Sequence, residues 1–247
     1  MFLRYLRADY QKTKRLSIRM AHIAVAIGTA AVFLAYYAIS PWDAYTKTEA
    51  YYQVLGIGFP FLIGVFCAVG AEQELSAGAF WNMLSAPKRA VAFSSKWIIL
   101  VLFGSAAVWL ASVVFGTGYR FLLKEQAVKF SIYWAAAFVM AGSSIFLYIL
   151  HLFLALRFDK GVTIGLGIVE SLLSGLLLTG MGDGIWMYVP AAWASRFCTM
   201  LLRRSGGYDM GIGAWDAAVC ICVVMTLAGG AAFGAWACRW DGIKKSE

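Results

Sequence analysis

Charge is scarce in this sequence of 247 residues. Asp, Glu, Lys and Arg make up 14% of it, against about 25% in soluble domains, and that shortfall excludes an ordinary water-soluble fold. Strict apolar–polar alternation is missing too, which excludes a membrane β-barrel. No G-x-x-x-x-G-K-[ST] occurs. The glycine clusters at 161–167 and 229–230 lie in apolar runs and lack the lysine that reaches a nucleotide phosphate, so no ATPase site and no enzyme activity of its own are expected. The five cysteines make no disulfide framework, since only Cys198 falls in an outer loop. Cys220 and Cys222 point about 200° apart on a helix, a poor arrangement for a metal. Histidine is limited to His22 and His151, in different apolar runs, and no E-E-x-x-x-R pattern occurs, so an intramembrane protease lacks the paired groups its chemistry needs. No small-residue cleavage site follows the basic start, and a removed signal peptide is not expected. No internal repeat and no second domain are visible, and no bound metal or cofactor is expected.

What the sequence has instead is apolar length. Mean hydropathy is +0.73 and 62% of residues are hydrophobic. Six runs at about 20–40, 51–70, 97–115, 131–156, 161–180 and 215–238 approach the roughly 20 residues needed to cross a bilayer. The expected fold is all-α: one polytopic transmembrane domain over 1–247. Fourteen of the 21 Lys and Arg fall in the segments on the side of the termini, which places both termini in the cytoplasm by the positive-inside rule. The acids other than Glu170 divide evenly between the two sides. The net charge of +8 therefore reads as topology and contact with anionic lipid, with no nucleic-acid partner.

Two segments depart from this plain pattern on the cytoplasmic side. Over 1–19, Phe2, Leu3, Leu6 and Tyr10 share one arc of a helical wheel and Arg4, Arg7, Asp9, Lys12 and Lys14 fill the rest, which predicts a basic amphipathic helix in the interface. Over 72–97 the sequence reads EQELSAGAFWNMLSAPKRAVAFSSKW, too polar for lipid. The pattern predicts a helix from Gln73 to Leu84 with Glu72 and Glu74 at its start, where the macrodipole favours acids, and Pro87 as its stop. Phe80, Met83 and Leu84 at i, i+3 and i+4 are expected to form an exposed apolar patch that docks another protein. Lys88, Arg89 and Lys96 mark the return to the membrane.

The spacing Glu74, Gly78, Leu84, Pro87, with Lys96 at the mouth of the next run, resembles the ABC-2 family of exporter permeases. In that family an E-x3-G-x5-L-x2-P pattern marks a cytoplasmic coupling helix held in a cleft of the ATPase subunit. The resemblance implies a coupling helix over 72–90, with Glu74, Gly78, Phe80, Met83, Leu84, Pro87, Lys88 and Arg89 as its contacts. It also implies a separate P-loop ATPase, two copies of which carry ATP and Mg, and a sister permease or second copy of this chain. The Trp/Tyr/Pro cluster over 181–214 and the Trp240–Asp241–Gly242 tail with its following lysines are similar to the lantibiotic-immunity branch of the family. That branch expels an amphipathic antimicrobial peptide from the bacterial cell membrane. Another ABC-2 cargo (drug, lipid or polysaccharide) and a non-transporting scaffold or sensor are the alternatives.

Two further features carry candidate residues. Glu170 is the one acid deep in a run, costly to bury unless paired or protonated; a polar contact, a cation point or a protonated carboxyl bonded to serine or backbone are its open roles. His151 in the fourth run is the other intramembrane polar candidate. In the outer segment 181–214, Val189, Trp193, Phe197, Met200 and Leu201 form an apolar stripe. It predicts a helix lying in the outer interface or re-entering the membrane. The resemblance implies an outer gate there, with Trp186, Tyr188, Pro190, Trp193 and Phe197 facing the substrate path.

Overall fold

Among the residues described, helices account for the regular structure, in ten α-helices and two single 3-10 turns. The computed structural model describes residues 2–13, 18–208 and 212–242; Lys14, Arg15 and the tail lysines Lys244 and Lys245 lie outside them. In chain order the helices are α1 (Phe2–Thr13), α2 (Ile18–Tyr37), α3 (Ala44–Ser76), α4 (Trp81–Leu84), α5 (Arg89–Phe121), α6 (Phe130–Ser143), α7 (Ile145–Arg157), α8 (Lys160–Leu176), α9 (Pro190–Ser205) and α10 (Ile212–Arg239). Five stretches are long and apolar enough to cross a bilayer: α2, α3, α5, the pair α6–α7 and α10. The protein has the architecture of a polytopic membrane protein.

Local chemistry sets the breaks. Asp43 caps α3, its carboxylate accepting from the Tyr45 and Thr46 N–H groups, two of the donors a helix start leaves without partners. Within α3, Pro60 withdraws the donor that would bond the Gly56 carbonyl. At Gly56 the helix meets α9 so closely that an added Cβ would lie 2.7 Å from the Ser195 backbone. The fourth span is bent where Ser143 and Ser144 both donate to the Met140 carbonyl, at 3.2 and 2.8 Å, back-bonding that loosens the ladder.

The run at 161–180 behaves differently from its expectation. Helix α8 has 17 residues, about 25 Å of rise, short of a hydrocarbon core of about 30 Å. It ends at Leu176, ahead of the Gly180–Gly182 turn, and the Arg196 guanidinium donates to the Leu177 and Thr179 carbonyls at 2.6 and 2.7 Å. The Thr179 carbonyl also accepts from the Gly182 N–H at 3.0 Å. Helix α9 then continues the path. Gly175 and Gly167 of α8 lie against Ile57 and Pro60–Phe61 of α3, while Thr199 and Arg203 of α9 bond Gln53 and Glu49 of α3. The two helices thus follow α3 end to end, in the opposite direction.

Two cores result. The larger is rich in buried tyrosine: Tyr51 stacks on Phe115 at 3.8 Å and donates to the Ala111 carbonyl, and Tyr52 donates to the Tyr133 carbonyl. The smaller joins α9 to α10 through Trp186, Trp193 and Phe197. One end of the bundle gathers α1, α4, the start of α5 and the end of α10. It is called the basic end below, and the opposite one the far end.

Candidate functional site

At the basic end the chain does not form the helix expected over Gln73–Leu84. Helix α3 carries on through Ser76, and then Gly78, Ala79 and Phe80 take φ of 124°, 49° and 66°. Three positive φ values in succession end the α3 helix, and the first falls on glycine, the residue that adopts it at least cost. One helical turn follows, from Trp81 to Leu84. Ser85 donates back to Trp81, and Pro87 comes before α5.

This turn reverses the expected exposure. Phe80 and Met83 are buried, at 2% and 4%, and Leu84 is partly buried. Phe80 meets Trp240 at 5.2 Å, and Phe93 meets Trp236 and Trp240. Arg89 donates to the Leu84 and Trp240 carbonyls and pairs with Asp241 at 3.0 Å. The Trp240–Asp241–Gly242 motif therefore clamps the element from behind, and the apolar patch faces inward because two indoles lie there to receive it. Outward stands Trp81, 70% exposed, with Gly78, Pro87 and Lys88 also exposed.

Glu74 is likewise turned inward, 1% exposed. The Lys96 ammonium donates to its carboxylate at 2.6 Å, and the Lys12 ammonium at 2.8 and 3.0 Å. Asp9 completes the cluster, accepting from Ser95 Oγ at 2.6 Å and lying 3.4 Å from Lys12 and 3.9 Å from Lys96. Two carboxylates and two ammoniums balance, which is what makes their burial tolerable. Burial opposes the charge on Lys12, but the hydrogen bond and field of Glu74, with Asp9, outweigh it and raise its pKa above the ordinary lysine value. The amphipathic helix is thus pinned to α3 and α5 by its polar side. Leu3, 75% exposed, and Phe2 remain on the open side.

Between α7 and α8 the structure unites the two intramembrane candidates. His151 Nε2 lies 2.7 Å from Glu170 Oε2, and its Nδ1 lies 2.9 Å from Thr163 Oγ1, with all three residues buried. The imidazole thus has one partner on each nitrogen, and Glu170 is bonded to histidine, a partner the sequence reading did not consider. His22 is elsewhere, stacked on Phe66 at 3.6 Å and bonded to the Ile18 carbonyl. No group of three or more His, Cys, Asp or Glu side chains that could hold a metal ion occurs among the described residues.

In the outer segment, where a helix lying in the interface or re-entering the membrane was expected, α9 is packed inside the bundle with ten of its 16 residues buried, which leaves no interfacial placement for it. Trp186, Trp193 and Phe197, expected to face a substrate path, are buried against one another, Phe146 and Trp215. Trp193 donates to the Met187 carbonyl. Among the five candidates there, Tyr188 is exposed and Pro190, at the first position of α9, is half-buried. The stripe was read correctly as apolar, but its surroundings are protein.

Sequence reasoning missed Trp81, although it sits beside Phe80 on the other side of the turn. It also missed the pairing of Lys12 with Glu74 and the role of Arg196 as the cap of α8. A basic residue 20 positions past a helix end gives no local signal. Comparison with family models, curated proteins and solved structures yields no match to this chain.

Proposed function

We propose that the chain is the membrane permease subunit of an ATP-driven exporter of the ABC-2 type, working in a bacterial cell membrane with both termini in the cytoplasm. It expels a lantibiotic or similar amphipathic peptide and so gives resistance. In this reading α8 and α9 together make the sixth crossing. A second permease, sister or identical, completes the path, and two copies of a separate ATPase subunit supply ATP hydrolysis. The carrying observation is the element at 77–88. It is a short turn that presents one aromatic, Trp81, outward, on a base made rigid by the Glu74 cluster and the Trp240 clamp. An exposed indole on a stiff support is what a docking contact requires, and the base spans α1, α3, α5 and α10, so a push on the turn reaches the bundle.

The test is purification of the tagged chain from its native membrane, with identification of what accompanies it. A co-purifying P-loop ATPase whose association is lost in Trp81→Ala, with the thermal melt unchanged, is the expected result. Recovery of no ATPase, or full peptide resistance in Trp81→Ala and Trp81→Glu, refutes the reading.

A further inference from the structure

At the far end, the start of α3 and the end of α9 enclose a cavity of about 630 Å³ that no feature above uses. That volume lies within the roughly 300–1,000 Å³ typical of ligand sites. Trp42, Tyr45 and Tyr208 contribute its aromatic wall, and Asp43 and Glu49 its carboxylates. Arg203 is the one cation among the described lining residues. Glu49 Oε1 accepts from Arg203 and Gln53, both at 2.9 Å, while its Oε2 takes no hydrogen bond from any described residue. The Thr46 hydroxyl, followed by the Thr46 and Tyr45 N–H groups, holds the Asp43 carboxyl below the usual carboxylate range, so it is charged at neutral pH. The lining therefore carries a net charge of −1 by these residues.

We propose that this cup binds an organic ammonium group, carried by an amphiphile at the membrane surface. The aromatic faces attract a cation through their quadrupoles, and the free Glu49 oxygen accepts an N–H or balances a quaternary nitrogen at close range. A divalent metal is a poorer fit, because it needs several converging oxygens and would meet the Arg203 guanidinium. An anion would meet two carboxylates. The ammonium has two sources, a lysine-bearing peptide or a lipid headgroup amine. The proposal rests on the export reading only for the choice between them.

The test uses the purified full chain in uncharged maltoside micelles, with no ATPase present, so its failure is separate from a failure to find that partner. Calorimetric titration compares dodecyltrimethylammonium, a Leu/Lys amphipathic peptide, the same peptide with glutamine for lysine, and phosphatidylethanolamine. The cationic amphiphile is expected to bind and the glutamine peptide not to. Glu49→Gln is expected to weaken binding about fivefold and Trp42→Ala about threefold. Arg203→Gln, which removes the competing cation, is expected to tighten it about threefold. Binding of the Leu/Lys peptide or of the lipid then identifies the source. The proposal is overturned if the glutamine peptide binds equally. It is also overturned if Glu49→Gln and Arg203→Gln, in proteins with unchanged melts, move affinity in the same direction or not at all.

Discussion

Removing either member of the His151–Glu170 pair should harm the bundle more than removing both. The pair is buried, 2.7 Å apart, and the other imidazole nitrogen is bonded to Thr163. Glu170→Leu takes away the partner of Nε2, and His151→Leu takes away the partner of the buried Glu170 carboxyl. Breaking a buried ion pair in a soluble core costs about 3–5 kcal/mol, whereas polar contacts between membrane helices average about 0.6 and reach about 1.7 kcal/mol. The upper membrane figure is the better guide here. Unfolded helices in a bilayer still find polar partners, while this pair is almost fully enclosed. Each single leucine variant should therefore cost about 2 kcal/mol, and the double variant about the same, since two well-packed apolar residues replace a satisfied pair at little cost. The coupling is then about 2 kcal/mol in a double-mutant cycle. Unfolding in mixed micelles titrated with dodecyl sulfate measures all four proteins. Glu170→Gln retains a hydrogen bond and should lose less than about 1 kcal/mol. Additive single effects, agreeing within about 0.5 kcal/mol, would show that the two side chains do not support each other and would refute the pairing.

Three other expectations concern the basic end. Glu74→Ala strands the Lys96 ammonium in a buried position and should cost about 3 kcal/mol, or roughly 6–12 °C in the melt. In the left-handed turn, Gly78→Ala should destabilise by about 1–2 kcal/mol, while Ala79→Gly next to it should stabilise by up to about 1 kcal/mol, a sign reversal readable in one set of thermal melts. Because the Lys12 pKa is raised in the folded protein, its contribution is fully present below the ordinary lysine value of about 10.4 and is lost as pH rises through the raised one. A spin label at Leu3 should report α1 loosening above about pH 10.5, and Lys12→Met should abolish that pH dependence. A label whose mobility is flat to pH 12 in the wild-type chain would contradict this.

The parts legible in the sequence were those governed by one helix at a time. Run length alone located α2, α3, α5 and α10, and a helical wheel found the open face of α1 because Phe2, Leu3, Leu6 and Tyr10 share one arc. What stayed hidden depends on which helices become neighbours. Phe80, Met83 and Leu84 have the spacing of an exposed patch, and only the position of Trp240, some 160 residues later, decides that they point inward. Glu74 has the look of a surface acid at a helix start until Lys12 and Lys96 arrive from two other helices to neutralise it. In the same way Glu170 and His151 are separate anomalies in the sequence, and the antiparallel packing of α7 on α8 makes them one bonded pair. The α8 break is the intermediate case. Gly180, Gly182 and Gly184 announce a turn, but apolar residues run up to it, so hydropathy extends the span to 180 while the structure ends the helix at Leu176. Arg196 secures the chain past that ending, its guanidinium donating to the Leu177 carbonyl and to the Thr179 carbonyl that the Gly182 N–H also bonds. The polar residues of this chain are therefore read more safely as partners looking for one another than as markers of the surface. By that reasoning the exposed Trp81, and the Glu49 oxygen that takes no donor among the described residues, are the places to look for something outside the chain.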